Sequence, residues 1–255
     1  MIAGAPPRPT RAYLKLREEV LEHLWRRFPS HCIVMTDPQT RRVIDLAAER
    51  AYAHGFTASH EVSSWATLMV FFGAYFDDDP LWPWASGTLH ATRDLPREAA
   101  IQRLFAAMNE AANPVVGATG EQFLQALLWV KAQPYDKIAA DSEGSVEEAM
   151  VRWLRNGFPS KYASLSTKQL NLWTGQARAR AEDFGLYARA GTILYGLLMA
   201  FLGFHFWRDP LHAWAGDALQ DQSAPDPLAK TARLHRSGIA ILRRYLILGQ
   251  FTKGD

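Results

Sequence analysis

The sequence predicts an all-α protein made of two tandem copies of one helical repeat unit, packed as a pseudo-two-fold helical bundle. Three observations carry that prediction. Nearly every long segment spaces its apolar residues at helical intervals, and no valine- or isoleucine-rich run of strand length is bounded by hairpin turn residues. The chain matches itself without a gap at a displacement of about 130 residues. The glycines and prolines that break helices fall at corresponding points of the two copies.

Taken in order, the periodicity predicts first-copy helices over 11–27, 38–54, 59–76, 80–91, 96–112 and 120–132. The second copy reads as helices over 145–156, 166–184, 188–206, 210–219 and 227–249. Pro29 and Pro159, each after a phenylalanine, break the chain after the first helix of each copy. Gly55 and Gly185 follow alanine- and arginine-rich segments, where a left-handed C-terminal position favours glycine. Leu68, Phe72 and Phe76, like Leu198, Leu202 and Phe206, give each third helix an apolar stripe. Gly73 and Gly203 then fall mid-helix, which implies close approach of another helix or of the Trp84 or Trp214 ring. Asp79-Pro80 and Asp209-Pro210 read as helix starts, with the carboxylate accepting free N–H groups and proline in the first turn. Gln133-Pro134 and the polar run 141–145 mark the joint, dividing the chain into repeats 1–135 and 136–255.

The self-match includes Phe28-Pro29-Ser30 with Phe158-Pro159-Ser160, Leu68-Met69 with Leu198-Met199, and Asp79-Pro80-Leu81 with Asp209-Pro210-Leu211. About a third of roughly 60 positions are identical. Residues needed by the shared fold should appear in both copies, and residues found in one are surface or specialised. Gly55, Gly73, Asp79, Pro80 and Trp84, with Gly185, Gly203, Asp209, Pro210 and Trp214, are thereby structural. Asp77 and Asp78 face Trp207 and Arg208 across the alignment, so they belong to one copy only. Together with Glu61, Trp82, Arg208 and His212 they are the residues expected to meet a partner.

Composition narrows the function classes. A net charge of +2 lacks the basic excess of a nucleic-acid binder. Bases without acids gather over 230–253, read as the solvated face of a packed last helix. The one cysteine, Cys32, reads as a small buried hydrophobe. The N-terminus has prolines and arginines where a signal peptide needs an apolar core, so a cytoplasmic location is expected. Residues 190–207 carry no Asp, Glu, Lys or Arg, but their first-copy equivalents are charged at both ends. A buried helix accounts for both copies and a membrane span for one, so no span is expected.

Chemistry-bearing motifs are sparse. His54, His60 and Glu61 are the nearest approach to a metal or acid–base set, yet Val62-Ser63-Ser64 follows where HExxH would place its second histidine. Glu61 and Asp77 sit at opposite ends of one expected helix, roughly 24 Å apart at helical rise, and cannot share a site. His205 and His212 flank the second Asp-Pro corner and read as packing. No phosphate loop or nucleophile elbow occurs. The expectation is a protein that is not an enzyme and takes no cofactor or metal, with a metal-dependent enzyme using His54, His60 and Glu61 as the alternative.

The repeat pattern Gly55-Phe56-Thr57, Leu68-Met69, Gly73, Phe76-Asp77, Asp79-Pro80 and Pro83-Trp84-Ala85 resembles that of small bacterial helical proteins found near type VI secretion genes. The second copy departs from it at Trp207, Arg208 and Ala213. The resemblance brings no catalytic residues. It implies an immunity protein that neutralises an effector toxin, or an adaptor that holds an effector for the secretion apparatus.

Overall fold

The computed structural model describes residues 10–221, 223–224 and 226–251. It is all-helical, with no strand among the described residues. The first half contains α1 (Arg11–Arg27), α2 (Pro29–Val34), α3 (Asp37–Ala53), α4 (Ser59–Phe72), α5 (Trp84–Ala91), α6 (Arg97–Val116), α7 (Glu121–Lys131) and α8 (Tyr135–Ala139). The second contains α9 (Val146–Gly157), α10 (Pro159–Ser164), α11 (Thr167–Asp183), α12 (Arg189–Leu202), α13 (Ala213–Gln220) and α14 (Pro227–Phe251). Short 3-10 turns occupy Phe76–Asp78, Phe206–Arg208 and Pro210–His212. The bounds of α2, α3 and α4 recur in α10, α11 and α12 at a displacement of 130 residues.

Local chemistry sets these bounds. Thr36 and Gln39 start α3 with a reciprocal capping box, and Ser166 and Gln169 do the same for α11. Gly55 and Gly185 lie just beyond the C-caps of α3 and α11 at φ +79° and +73°, where a Cβ would be strained. Two expected helices stop early: α4 ends at Phe72 instead of 76, and α12 at Leu202 instead of 206. Gly73 and Gly203 are the C-caps, so neither lies mid-helix. The apolar residues beyond them continue through the 3-10 turns, which keeps the periodicity while breaking the α-helical hydrogen bonding. Similarly α5 starts at Trp84 and α13 at Ala213, after the Asp-Pro corners, whereas sequence placed their starts at 80 and 210. Helices α2, α10 and α8 were not anticipated; α2 and α10 carry at their first position the prolines read as breakers.

Two apolar cores form, and the halves interlock. Val20, Trp65, Met69 and Phe76 are buried in the first core, and Met150, Trp173, Tyr195 and Phe206 in the second. Leu81 lies in the second core and Leu211 in the first, so each Asp-Pro-Leu corner inserts into the opposite half. Burying such a leucine stabilises by about 2 kcal/mol. Helix α6 packs on α5 and on α10, while α14 packs on α13 and on α2. Ala126 and Ile138 also join the second core, so its apolar lining draws on residues both before and after position 135. Cys32 is buried in the first core, and burial pushes its thiol up to about 11. No helix among the described residues is long and apolar enough to cross a membrane.

Candidate functional site

Where the corners meet, the two chain segments exchange hydrogen bonds. One oxygen of Asp79 (Oδ1) accepts from the Leu81 N–H at 2.8 Å, the local cap expected of an Asp-Pro start. The other (Oδ2) accepts from the Phe204 N–H at 2.9 Å, 125 residues away. Asp209 repeats the arrangement, accepting from Leu211 N–H at 2.8 Å and from Ala74 N–H at 2.7 Å. Both donors across the joint follow a glycine: Gly73 is at φ +91° and Gly203 at φ +103°. A Cβ on Gly73 would stand 2.8 Å from the Leu202 carbonyl oxygen, and one on Gly203 3.0 Å from the Phe72 carbonyl oxygen. The close approach inferred from these glycines is real, and what approaches is backbone from the other half.

The surroundings of the two carboxylates differ. Beside Asp79 lies Lys161, fully buried, with Nζ 3.1 Å from the Leu81 carbonyl oxygen and 3.1 Å from the Trp82 ring centroid. Burial pushes the Lys161 ammonium down to about 7 against the opposing pull of the Asp79 charge. Burial likewise raises the Asp79 carboxyl, opposed by Lys161 and the two N–H donors. At the matching positions around Asp209 stand His31 and His212 in place of Lys161 and Trp82. Burial pushes their imidazoles down to about 4 and about 3, so both are neutral at pH 7. The His31 ring lies 4.8 Å from that of Tyr245 on α14. Asp209 has no ion-pair partner among the described residues, and burial raises its carboxyl to about 7 in spite of its two N–H donors. One corner therefore holds a lysine and the other only neutral rings.

The outer rim of this joint carries a polar cluster. Tyr75 has the Arg50 guanidinium 5.0 Å and the Arg208 guanidinium 4.1 Å from its ring centroid, and meets His205 edge-on at 5.5 Å. His205 Nε2 is 3.7 Å from Asp78 Oδ2. Burial lowers the His205 pKa, and Arg208 lowers it further. Asp78 and Arg208, expected to meet a partner, are exposed here, one acid and one base at matching positions.

The other expected contact residues point inward. Asp77 is buried and takes Arg50 Nη2 at 2.6 Å, Arg50 Nε at 2.9 Å and His54 Nε2 at 3.1 Å. Burial tends to raise its carboxyl, but the His54 and Arg50 bonds prevail and hold it below the usual range. In the second half Trp207 replaces that aspartate and packs on Phe184 at 5.6 Å, while Arg180 turns to Asp183 at 3.1 Å. Glu61 is buried and caps α4, accepting from the Thr57 and Ala58 N–H groups at 2.6 and 2.8 Å. Trp82 and His212 are partly buried in the corners. His54, His60 and Glu61 do not converge: His54 stacks on Trp65, His60 is exposed 3.8 Å from Glu98, and Glu61 serves its helix. No group of three or more His, Cys, Asp or Glu side chains among the described residues is placed to hold a metal ion.

Arg50, Tyr75, His31, Lys161 and Tyr245 escaped sequence reading. Lys161 had a signal, since it follows Phe158-Pro159-Ser160 where the first half has histidine. Asp77→Asn is expected to cost about 2 kcal/mol at pH 7, because Arg50 and His54 lose a buried carboxylate. The lowered pKa of Asp77 contributes stability that is present above the unfolded carboxyl pKa and lost as pH falls through the folded value. Urea denaturation of wild type and variant should therefore converge below about pH 3. Compared with protein-family models, curated proteins and solved structures, the chain matches none of them.

Proposed function

We propose that the chain is a duplicated helical scaffold, its halves related by a pseudo-two-fold, that binds a protein partner, and that it acts as a cytoplasmic immunity protein neutralising a type VI secretion effector. The observation that carries this reading is the division of labour at the joint. Residues shared by both halves are consumed in the reciprocal corner, with Asp79 and Asp209 each bonding the other half's backbone. Residues peculiar to one half, Asp78 and Arg208, are exposed on that rigid base beside Tyr75 and His205. A fixed pair of opposite charges beside aromatic rings suits recognition of a protein surface, where such charges set specificity and association rate. The absence of a strong basic excess fits the same reading.

The test is co-purification with the products of adjacent genes, followed by co-expression with the one that binds. Binding with rescue of growth is expected. Binding that leaves the effector active would instead favour the adaptor role, and absence of binding to every neighbour would overturn the proposal. The paired reversal Asp78→Lys with Arg208→Glu should weaken binding by at least about tenfold. Its stability should stay within about 0.5 kcal/mol of wild type, because both side chains are exposed.

A further inference from the structure

In the second half, α7 lies across the aromatic face at the end of α9. Its Phe123 ring is 5.8 Å from Phe158, which stacks on Phe201 at 5.3 Å. Its Trp129 ring is 5.6 Å from Trp153 and fills the space above Gly157, where a Cβ would stand 2.4 Å from the ring. The first half carries the matching pair, Phe28 and Phe71, edge to face at 5.5 Å. There Phe71 is 60% exposed, and Trp25, one turn before Phe28 on α1, is 47% exposed. The counterpart of α7 would begin near position 251, where α14 ends among the described residues.

The rim of this open face is basic. Arg26 and Arg27 are exposed at the end of α1, Arg26 paired with Glu22, and Arg243 and Arg244 are exposed on α14, whose Tyr245 meets His31 of α2. The carbonyl end of α1 adds only a partial negative charge. Arg27 also occupies the position of Gly157, so the notch that receives the Trp129 ring is closed here by a cation.

We propose that the face formed by Trp25, Phe28 and Phe71 is a docking seat for an acidic amphipathic helix of a protein partner. The helix places an aromatic residue on the Phe28–Phe71 pair, as Phe123 does in the second half. Six residues later, where α7 has Trp129, it carries an acid that meets Arg27. The proposal rests on the duplicated, partner-binding reading and adds the chemistry of what is bound.

The probe is a fluorescein-labelled peptide of residues 118–132 carrying Trp129→Glu, titrated against the full-length chain by anisotropy. Saturable binding at about 100 µM or tighter is expected, in the range of a single short helix in a groove. Phe71→Glu and Arg27→Glu in the protein should each weaken it by about tenfold or more at unchanged Tm. The same peptide carrying Trp129→Lys should bind the Arg27→Glu protein better than wild type. No saturation by about 1 mM, or binding indifferent to both substitutions, overturns the proposal. So does a dimer in sedimentation that Phe71→Glu dissolves, which would assign the seat to a second copy. An adjacent-gene product that binds wild type and Phe71→Glu equally overturns the seat and leaves the partner-binding reading standing. Failure of every such product to bind overturns that reading, whatever the peptide does.

Discussion

Gly73→Ala is expected to cost about 4 kcal/mol of folding stability, the largest effect of any single methyl group in this chain. Two terms add. At φ +91° and ψ 156° the residue occupies a region open essentially to glycine alone, where an alanine is strained by about 1–3 kcal/mol. The new Cβ would also stand 2.8 Å from the Leu202 carbonyl oxygen, and neither partner is a side chain able to swing away. Gly203→Ala should behave alike, with its Cβ 3.0 Å from the Phe72 carbonyl oxygen. Gly87→Ala is the contrast: it lies within α5 with nothing inside 4 Å, and should stabilise by up to about 1 kcal/mol. Urea midpoints at constant slope separate the three.

Asp209→Ala is expected to cost about 3 kcal/mol, because it leaves the buried Ala74 and Leu211 N–H groups without acceptors at about 1–3 kcal/mol each. Relief from burying an uncompensated carboxyl offsets part of that loss. Asp209→Asn isolates the charge. The carboxyl is raised in the folded state to about 7, so the folded chain holds a proton that the unfolded chain releases near pH 4. Its contribution is therefore fully present below about pH 4 and lost as pH rises through about 7. His31 and His212 have depressed values and contribute in the opposite sense, with stability present above about pH 6.5 and lost on acidification. Lys161, also depressed, adds stability that is complete only above its unfolded pKa. Those contributions are common to both proteins. From pH 5 to 8 the wild type should thus lose stability relative to Asp209→Asn; parallel profiles would show that Asp209 stays ionised throughout.

The sequence made the helices legible where capping and periodicity agree, as in α1 and α3, whose bounds differ from the reading by at most a residue. It failed where the hydrophobic period outlasts the α-helix, since the 3-10 turn after Gly73 keeps Phe76 facing the core. The local half of the Asp79 and Asp209 caps was readable, because an aspartate before proline bonds a nearby N–H. The other oxygen bonds an amide more than a hundred residues away, and no local pattern encodes that partner. Glu61 and Asp77 were misplaced at the surface for a related reason. A residue confined to one half can be internal if that half supplies its own partners, as Arg50 and His54 do for Asp77. Trp207 achieves the same burial in the other half by packing.

That reciprocal exchange at the joint is tested most directly by amide hydrogen exchange at Ala74 and Phe204. The account predicts that both amides exchange only through global unfolding, with the same protection free energy. It further predicts that Asp209→Ala lowers both protections equally, although only Ala74 bonds that carboxylate. Rapid exchange of either amide in the wild type, or loss of protection at Ala74 alone, would contradict the claim that the two corners hold the halves together as one unit.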